Sequence, residues 1–154
     1  TSINHAINKM LGGVEHDGGS ASQRREFVTN SLYLIQENMW LGSGTGSVSQ
    51  RYADIPKDRI KTNITTNPHN EYAATALQLG LTGLTALFLF FSLQYRQSKC
   101  IESVEQRYLA QGLIAFIIVS SLGNSMLMDS GEGNFWIFFV ALLFSSNNKS
   151  SPQA

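Results

Sequence analysis

A histidine stands where a polar stretch of the chain enters an apolar one. Residues 67–72 read Asn-Pro-His-Asn-Glu-Tyr, and the apolar stretch that follows contains Gly80 and Gly83. Imidazole exchanges a proton near neutral pH, so His69 is suited to take a proton from a hydroxyl group. Its position at the boundary would let it meet a lipid-bound substrate and a water-borne substrate together.

The neighbours of His69 are expected to fix its direction. Pro68 restricts the residue before it to an extended backbone, and Asn70 is a candidate cap for the helix that follows. Glu71 either orients the imidazole, serves as a second base, or only places a favourable charge in the first helical turn. An isolated histidine in a loop is more often structural or solvated, so His69 has a plain alternative interpretation.

Cations that suit a phosphate group lie earlier in the chain. Arg24 and Arg25 begin a segment predicted to be an amphipathic helix over about 24–38, and Arg51 follows in a polar loop. A guanidinium can bind phosphate through two parallel hydrogen bonds, whereas the simpler interpretation is a set of solvated charges. The Gly-Ser-Gly-Thr-Gly run over 42–46 lacks the Gly-Lys-Ser/Thr of a phosphate loop and is interpreted as a tight turn.

Composition excludes several classes of function. The 154-residue chain has a formal net charge of +0, so no basic excess would hold a nucleic acid. One cysteine, Cys100, excludes an internal disulfide framework. His5, His16 and Asp17 do not have the spacing of a metal site, so no metal is predicted.

The uneven distribution of charge predicts an all-α, polytopic transmembrane protein. Thr75 to Gln94 contains no charged residue and has about the length that crosses a hydrocarbon core of roughly 30 Å. A buried helix of a soluble protein is the alternative. Arg96, Lys99 and Arg107 place the following loop in the cytoplasm by the positive-inside rule. The predicted order is a periplasmic loop over 1–71, membrane helices over 72–95, 108–128 and 134–146, a cytoplasmic loop over 96–107, a periplasmic loop over 129–133 and a cytoplasmic tail over 147–154.

Gly80 and Gly83 have a separate structural interpretation. Residues three apart lie on one face of a helix, and small residues there let another helix approach closely. We therefore expect the pair to support the site by packing the helix that carries His69, without contacting a substrate.

Three blocks of this sequence, taken in order, resemble the bacterial O-antigen ligase and O-antigen polymerase superfamily. The resemblance spans about residues 20–146, and the chain departs from the family pattern at Met39, where proline usually precedes the glycine turn. The blocks are Gln23 to Ser47 with its two arginines and glycine run, His69-Asn70 followed after nine residues by Gly80-x-x-Gly83, and Ser125 to Trp136.

The resemblance implies a multi-pass enzyme of the bacterial inner membrane, with its active-site loop in the periplasm. Family members take a glycan from undecaprenyl diphosphate; ligases pass it to the lipid A core, polymerases extend another lipid-linked glycan, and relatives modify protein hydroxyls. By this resemblance His69 acts on the acceptor hydroxyl and Arg24 holds the diphosphate, with Arg25 and Arg51 as further candidates. No metal ion or other cofactor is implied. The expected partners are the lipid-linked donor, the hydroxyl acceptor and membrane lipids.

Alternatives to a ligase stay open at this point. A surface-polysaccharide polymerase of the same superfamily would share the donor site and differ in its acceptor. A non-catalytic membrane protein, such as a transporter segment with a substrate-facing histidine, or a truncated inactive copy, is also compatible with the pattern. The N-terminal helices of a full family member are absent from this sequence, so we expect this fragment alone to be inactive.

Overall fold

A computed structural model of the protein describes residues 20–56, 64–128 and 130–145. Within these ranges every regular element is a helix, which confirms the all-α prediction for this part of the chain. The residues predicted as the start of the periplasmic loop, with His5, His16 and Asp17, and the tail over 147–154 lie outside the described residues. The elements are α1 (Ser20–Ile35), a 3-10 helix (Gln36–Asn38), α2 (Val48–Ala53), α3 (Glu71–Ser98), α4 (Val104–Ser120) and α5 (Ser130–Ser145).

α1 packs against α2 and α3 through one face. Phe27, Ser31 and Leu34 follow one another at spacings of three and four residues, so they form a single stripe. Leu34 is buried and Phe27 half-buried, whereas Leu32, which lies outside this stripe, is 38% exposed. The buried core of this half of the molecule consists of Leu34, Val48, Tyr52, Ile55 and Leu77.

α3 is divided by a break in its backbone. Gly80 has φ 66° and ψ −160°, values outside any helix, although the element continues to Ser98. Residues 71–79 are largely buried against the α1 and α2 core, whereas residues 81–98 would extend about 27 Å as an α-helix. The segment predicted to cross a membrane over 72–95 therefore contains two parts with different surroundings.

The break removes two bonds from the ladder of α3. In an unbroken helix the amides of Leu81 and Thr82 would donate to the carbonyls of Leu77 and Gln78. The loop after α1 supplies the missing partners of all four groups. The carbonyls of Leu77 and Gln78 accept from the amides of Ser43 (2.9 Å) and Gly44 (2.9 Å), and the amides of Leu81 and Thr82 donate to the carbonyls of Met39 (2.8 Å) and Trp40 (3.3 Å).

Glycines make this close approach of two backbones possible. Gly42 has φ 70° and Gly80 has φ 66°, a region that residues with a Cβ rarely adopt. A Cβ on Gly42 would overlap the backbone of Gln78, and a Cβ on Gly80 would overlap that of Trp40. The prediction that Gly80 seats another helix is therefore wrong, because it seats the glycine turn. Gly83 lies against the side chain of Leu79 in its own helix.

The departure from the family pattern at Met39 leaves the turn geometry intact. Met39 has φ −56°, which lies within the range that a proline ring fixes. Its carbonyl still accepts from Leu81. A methionine therefore reaches the backbone conformation that proline would impose, and the bonds to α3 hold it there.

α4 and α5 pack on the second part of α3. α4 begins earlier than predicted and ends at Ser120, so residues 121–128, predicted as the end of a membrane helix, form turns instead. Gly123 and Asn124 favour such a helix end. The loop before α4 is correspondingly shorter than the predicted 96–107. Two buried apolar clusters lie in this half, one of Phe91, Ile117 and Trp136 and the other of Ile101, Ala110 and Leu143.

The outer surface of this second half is apolar. One helix among the described residues, Glu71–Ser98, is long and apolar enough to cross a membrane, and Gly131–Ser145 is a shorter apolar helix. Large apolar side chains are exposed on all three helices, including Phe88, Leu89 and Leu93 on α3, Phe116 and Val119 on α4, and Phe138 and Leu142 on α5. A multi-pass arrangement stays a prediction.

Replacement of Gly80 tests the loop–helix junction. Gly80→Ala should destabilise the protein by about 2–4 kcal/mol, because its Cβ meets backbone that cannot move aside and its φ is unfavourable. Gly112→Ala is the control, since Gly112 lies in α4 with open space around it. Thermal unfolding in detergent should show a clear loss for the first variant only; equal melting temperatures would contradict the junction.

Candidate functional site

His69 occupies a strained turn directly before α3. Its φ of 53° makes it the residue other than glycine with a positive φ among the described residues. The backbone amide of His69 donates to Oδ1 of Asn67 (2.8 Å), and the same oxygen accepts from Oγ of Ser125 (2.7 Å). Pro68 between them is fully buried. Such a backbone is kept only where its surroundings determine it, so the direction of the imidazole is set by the turn.

The imidazole is fixed on two sides and open on others. Its Nδ1 lies 3.2 Å from Oδ1 of Asn124. Its ring centroid lies 6.0 Å from that of Phe27 on α1, with the ring planes tilted by 37°. The side chain as a whole is exposed. His69 therefore presents a positioned ring to whatever approaches the start of α3.

Asn70 joins α3 to the turn after α4. Its Oδ1 accepts from the amide of Ala73 (2.9 Å), which caps the helix, and its Nδ2 donates to the carbonyl of Leu122 (2.9 Å). The predicted cap is thus confirmed. Asn70 supports the site by holding the segment that carries Asn124 close to His69.

Glu71 is directed toward the same turn. It is 3% exposed, its amide donates to the carbonyl of Ser121 (2.9 Å), and its carboxylate accepts from the amide of Leu127 (2.9 Å). A buried carboxylate needs such donors to offset its lost hydration. Of the roles considered for Glu71, this geometry supports a structural one, because its carboxylate bonds the turn and not the imidazole.

Arg24 and Arg25 differ in their placement relative to His69. Both are exposed in the first turns of α1. Arg24 precedes Phe27 by three residues and shares its helix face, whereas Arg25 precedes Phe27 by two residues and does not. Because Phe27 lies against the imidazole, helix periodicity puts Arg24 closer than Arg25 to the side of α1 that faces His69.

Arg51 is already engaged by acidic side chains. Its guanidinium pairs with Glu37 after α1 and with Asp54 at 3.3 Å. These two carboxylates compensate its charge. The structure does not bring Arg51 to His69 through any described contact, and a phosphate at Arg51 would have to displace a carboxylate.

Tyr52 fixes the part of α1 that faces His69. Its hydroxyl donates to the carbonyl of Phe27 (2.7 Å) and accepts from Oγ of Ser31 (2.8 Å). Burial raises the pKa of Tyr52 to about 12, so the hydroxyl keeps its proton. The contribution of the protonated Tyr52 hydroxyl to folding stability is complete below pH 10.0, the ordinary pKa of tyrosine, and is lost as the pH rises through about 12.

The glycine run over 42–46 is a tight turn, as predicted. Its amides are used within the protein, because Gly42 donates to Asn38 (2.8 Å) and Gly46 donates to Oε1 of Gln78 (2.7 Å), in addition to the two bonds to α3. These amides do not form a phosphate cradle. Among the described ranges, no three His, Cys, Asp or Glu side chains cluster in a way that could hold a metal ion.

Asn124 is the site residue that sequence reasoning missed. The predicted helix over 108–128 assigned it to a membrane span, where a contact with a loop histidine is not expected. The signal was present in Ser121-Leu122-Gly123-Asn124, a run rich in turn formers. Ending the helix before this run would have brought a polar amide back to the start of α3.

Comparison with known proteins gives one family. A family model described as O-antigen ligase matches residues 1–88, more than half of the 154-residue chain. The matched range includes α1, the glycine turn, His69 and the break in α3. No curated protein matches the chain.

Proposed function

The chain belongs to the O-antigen ligase family, and we propose that it carries catalytic residues of a membrane enzyme that transfers a glycan from a lipid diphosphate to a hydroxyl group. The observation that carries this proposal is the placement of His69. Its ring is held at the start of α3 by Asn124 and lies against Phe27, on the α1 face that also bears Arg24. A base and a cation therefore flank one exposed region.

The reaction is a direct displacement at the anomeric carbon of the glycan. The acceptor oxygen forms a bond to this carbon while the bond to the diphosphate oxygen breaks, and the diphosphate leaves with the electron pair. His69 takes the proton of the acceptor hydroxyl. General base catalysis of this kind contributes about 10²–10⁴-fold in rate.

Arg24 stabilises the diphosphate of the donor and of the leaving group. A guanidinium donates paired hydrogen bonds to phosphate oxygens. These bonds become stronger as negative charge develops on the oxygens of the leaving group. Arg25 lies on another side of α1, and Arg51 is compensated by Glu37 and Asp54, so both are weaker candidates. We propose that transfer needs no metal ion, since cationic side chains supply the charge.

The apolar half of the molecule supports a site at a membrane. We propose that residues 81–98 of α3, with α4 and α5, cross the bacterial inner membrane, with residues 20–71 on the periplasmic side. The apolar side chains exposed on these helices support this arrangement. His69 would then stand at the outer boundary, within reach of a donor whose lipid, undecaprenyl, stays in the bilayer.

A ligase that attaches the glycan to the lipid A core is the preferred assignment, and a polymerase is the runner-up. Deleting the gene and running the surface polysaccharide of the mutant on a gel distinguishes the two assignments. A lost ligase leaves bare core with glycan on its lipid carrier, whereas a lost polymerase leaves single repeat units on the core.

A transporter is less well supported by the helix break. Interrupted helices in transporters leave backbone groups that bind the substrate. At Gly80, the carbonyls of residues 77 and 78 and the amides of residues 81 and 82 are all bonded to the loop after α1. The break therefore offers none of these four groups to a substrate.

Removal of the base tests the proposed chemistry. His69→Ala in the full-length protein should lower the rate of transfer by about 10²–10⁴-fold, because the acceptor proton has no receiver. Binding of the lipid-diphosphate donor should be retained, since Arg24 is untouched. Purified protein, donor and acceptor in vitro measure both quantities. Transfer at the parental rate by His69→Ala would reject His69 as the base.

A matched pair of arginine variants tests the diphosphate site. Arg24→Ala should lower kcat/KM for the donor by about 10–100-fold, the effect of losing a charged hydrogen bond of about 1.5–3 kcal/mol. Arg25→Ala should lower it far less, because Arg25 does not share the face of Phe27. Addition of EDTA should leave both rates unchanged. Equal losses in the two variants would contradict the placement of Arg24.

A further inference from the structure

We propose that Asn124 is a positioning residue for the transfer reaction: its side-chain oxygen keeps the proton of His69 on Nδ1 and so makes Nε2 the atom that accepts the proton of the hydroxyl. The inference rests on the proposed function for its catalytic meaning. The contact itself, 3.2 Å between Nδ1 and Oδ1, is a feature of the structure.

The chemistry of the amide decides where the proton lies. An amide oxygen has no hydrogen to donate, so it can only accept from an N–H of the imidazole. Nδ1 of His69 therefore carries the hydrogen when this bond forms. In the neutral ring the other nitrogen, Nε2, then holds the free lone pair, and it is the nitrogen that can act as a base.

The orientation of the Asn124 amide is supported at both ends. Its Nδ2 donates toward the thioether sulfur of Met126, at 3.9 Å. Exchanging the oxygen and nitrogen would place an oxygen against the weakly accepting sulfur, with no donor for it. The arrangement with Oδ1 toward His69 satisfies both ends of the amide.

The turn that carries Asn124 is fastened to the segment that carries His69. Each bond lies between residues 67–71 on one side and residues 121–127 on the other, so the two segments move together. An amide on such a turn can set the direction of a ring, as carboxylates and carbonyls do for other catalytic histidines. The bonds are Ser125 Oγ to Asn67 Oδ1, Asn70 Nδ2 to the Leu122 carbonyl, the Glu71 amide to the Ser121 carbonyl, and the Leu127 amide to the Glu71 carboxylate.

The charge of the partner matters as much as its direction. On α1 and the first part of α3, which pack against the ring, the charged residues are Arg24, Arg25 and Glu26 on α1 and Glu71 on α3, whose carboxylate accepts from the amide of Leu127. Residues 121–128 contain no charged residue. A neutral amide orients His69 without favouring the protonated ring, whereas a carboxylate at position 124 would favour it.

Variants at position 124 separate these two effects in the full-length enzyme, with transfer measured from pH 5 to pH 9. Asn124→Asp should shift the acidic limb of the kcat profile upward by about one pH unit or more, because the carboxylate stabilises the protonated ring. Asn124→Leu should lower kcat by roughly 10-fold or more without moving the limb, since only orientation is lost. KM for the donor should not change. Asn38→Asp, at an exposed position in the 3-10 helix after α1, is the control for an added charge and should leave the profile unchanged.

A tautomer measurement decides the inference where a variant is inactive. NMR of protein labelled with ¹⁵N-histidine identifies the ring-nitrogen resonances of His69 as those that disappear in His69→Gln. In the parent protein these resonances should show a hydrogen on Nδ1. This preference should be lost in Asn124→Leu. A hydrogen on Nε2 in the parent protein, or an acidic limb unmoved in an active Asn124→Asp, would overturn the role of Asn124. The tautomer is independent of transfer, so this result separates failure of the inference from failure of the proposed function.

Discussion

The architecture depends on an exchange of backbone hydrogen bonds at Gly80. α3 gives up two bonds of its own ladder, and the loop after α1 supplies partners for the four groups set free. Polar backbone groups cannot remain unpaired in an apolar setting, so the break and the loop are each stable only in the presence of the other. Gly42 and Gly80 allow the two backbones to meet. This junction fixes α1 against the first part of α3.

The placement of the site follows from that junction and from a second one at the other end of residues 71–79. The junction at Gly80 determines where the face of α1 that carries Phe27 and Arg24 lies. The second, made by Asn70 and Glu71, determines where the turn with Asn124 lies. His69 lies between the Phe27 face of α1 and the turn with Asn124. Its backbone has a positive φ, a strained conformation that these surroundings maintain. The site is thereby assembled from three separate segments of the chain.

The sequence predicts the helices better than the contacts that join them. Hydrophobic runs give the helices, and Asn-Pro-His-Asn gives the start of α3, because capping and proline effects are local. The break at Gly80 could not be read in this way, since glycine is compatible with a helix and the loop that replaces its bonds is about forty residues distant in sequence. Glu71 was expected near the imidazole because it lies two residues from His69 in sequence, yet its carboxylate is buried and accepts from the amide of Leu127. Asn124 was hidden by an overextended helix prediction.

The most direct measurement is a cryo-electron microscopy structure of the full-length enzyme with an undecaprenyl-diphosphate glycan bound. We expect the diphosphate at the guanidinium of Arg24, on the Phe27 face of α1, and the anomeric carbon on the side of His69 that bears Nε2. A diphosphate bound on the opposite face of α1, or a glycan with its anomeric carbon remote from the imidazole, would contradict this arrangement of base and cation.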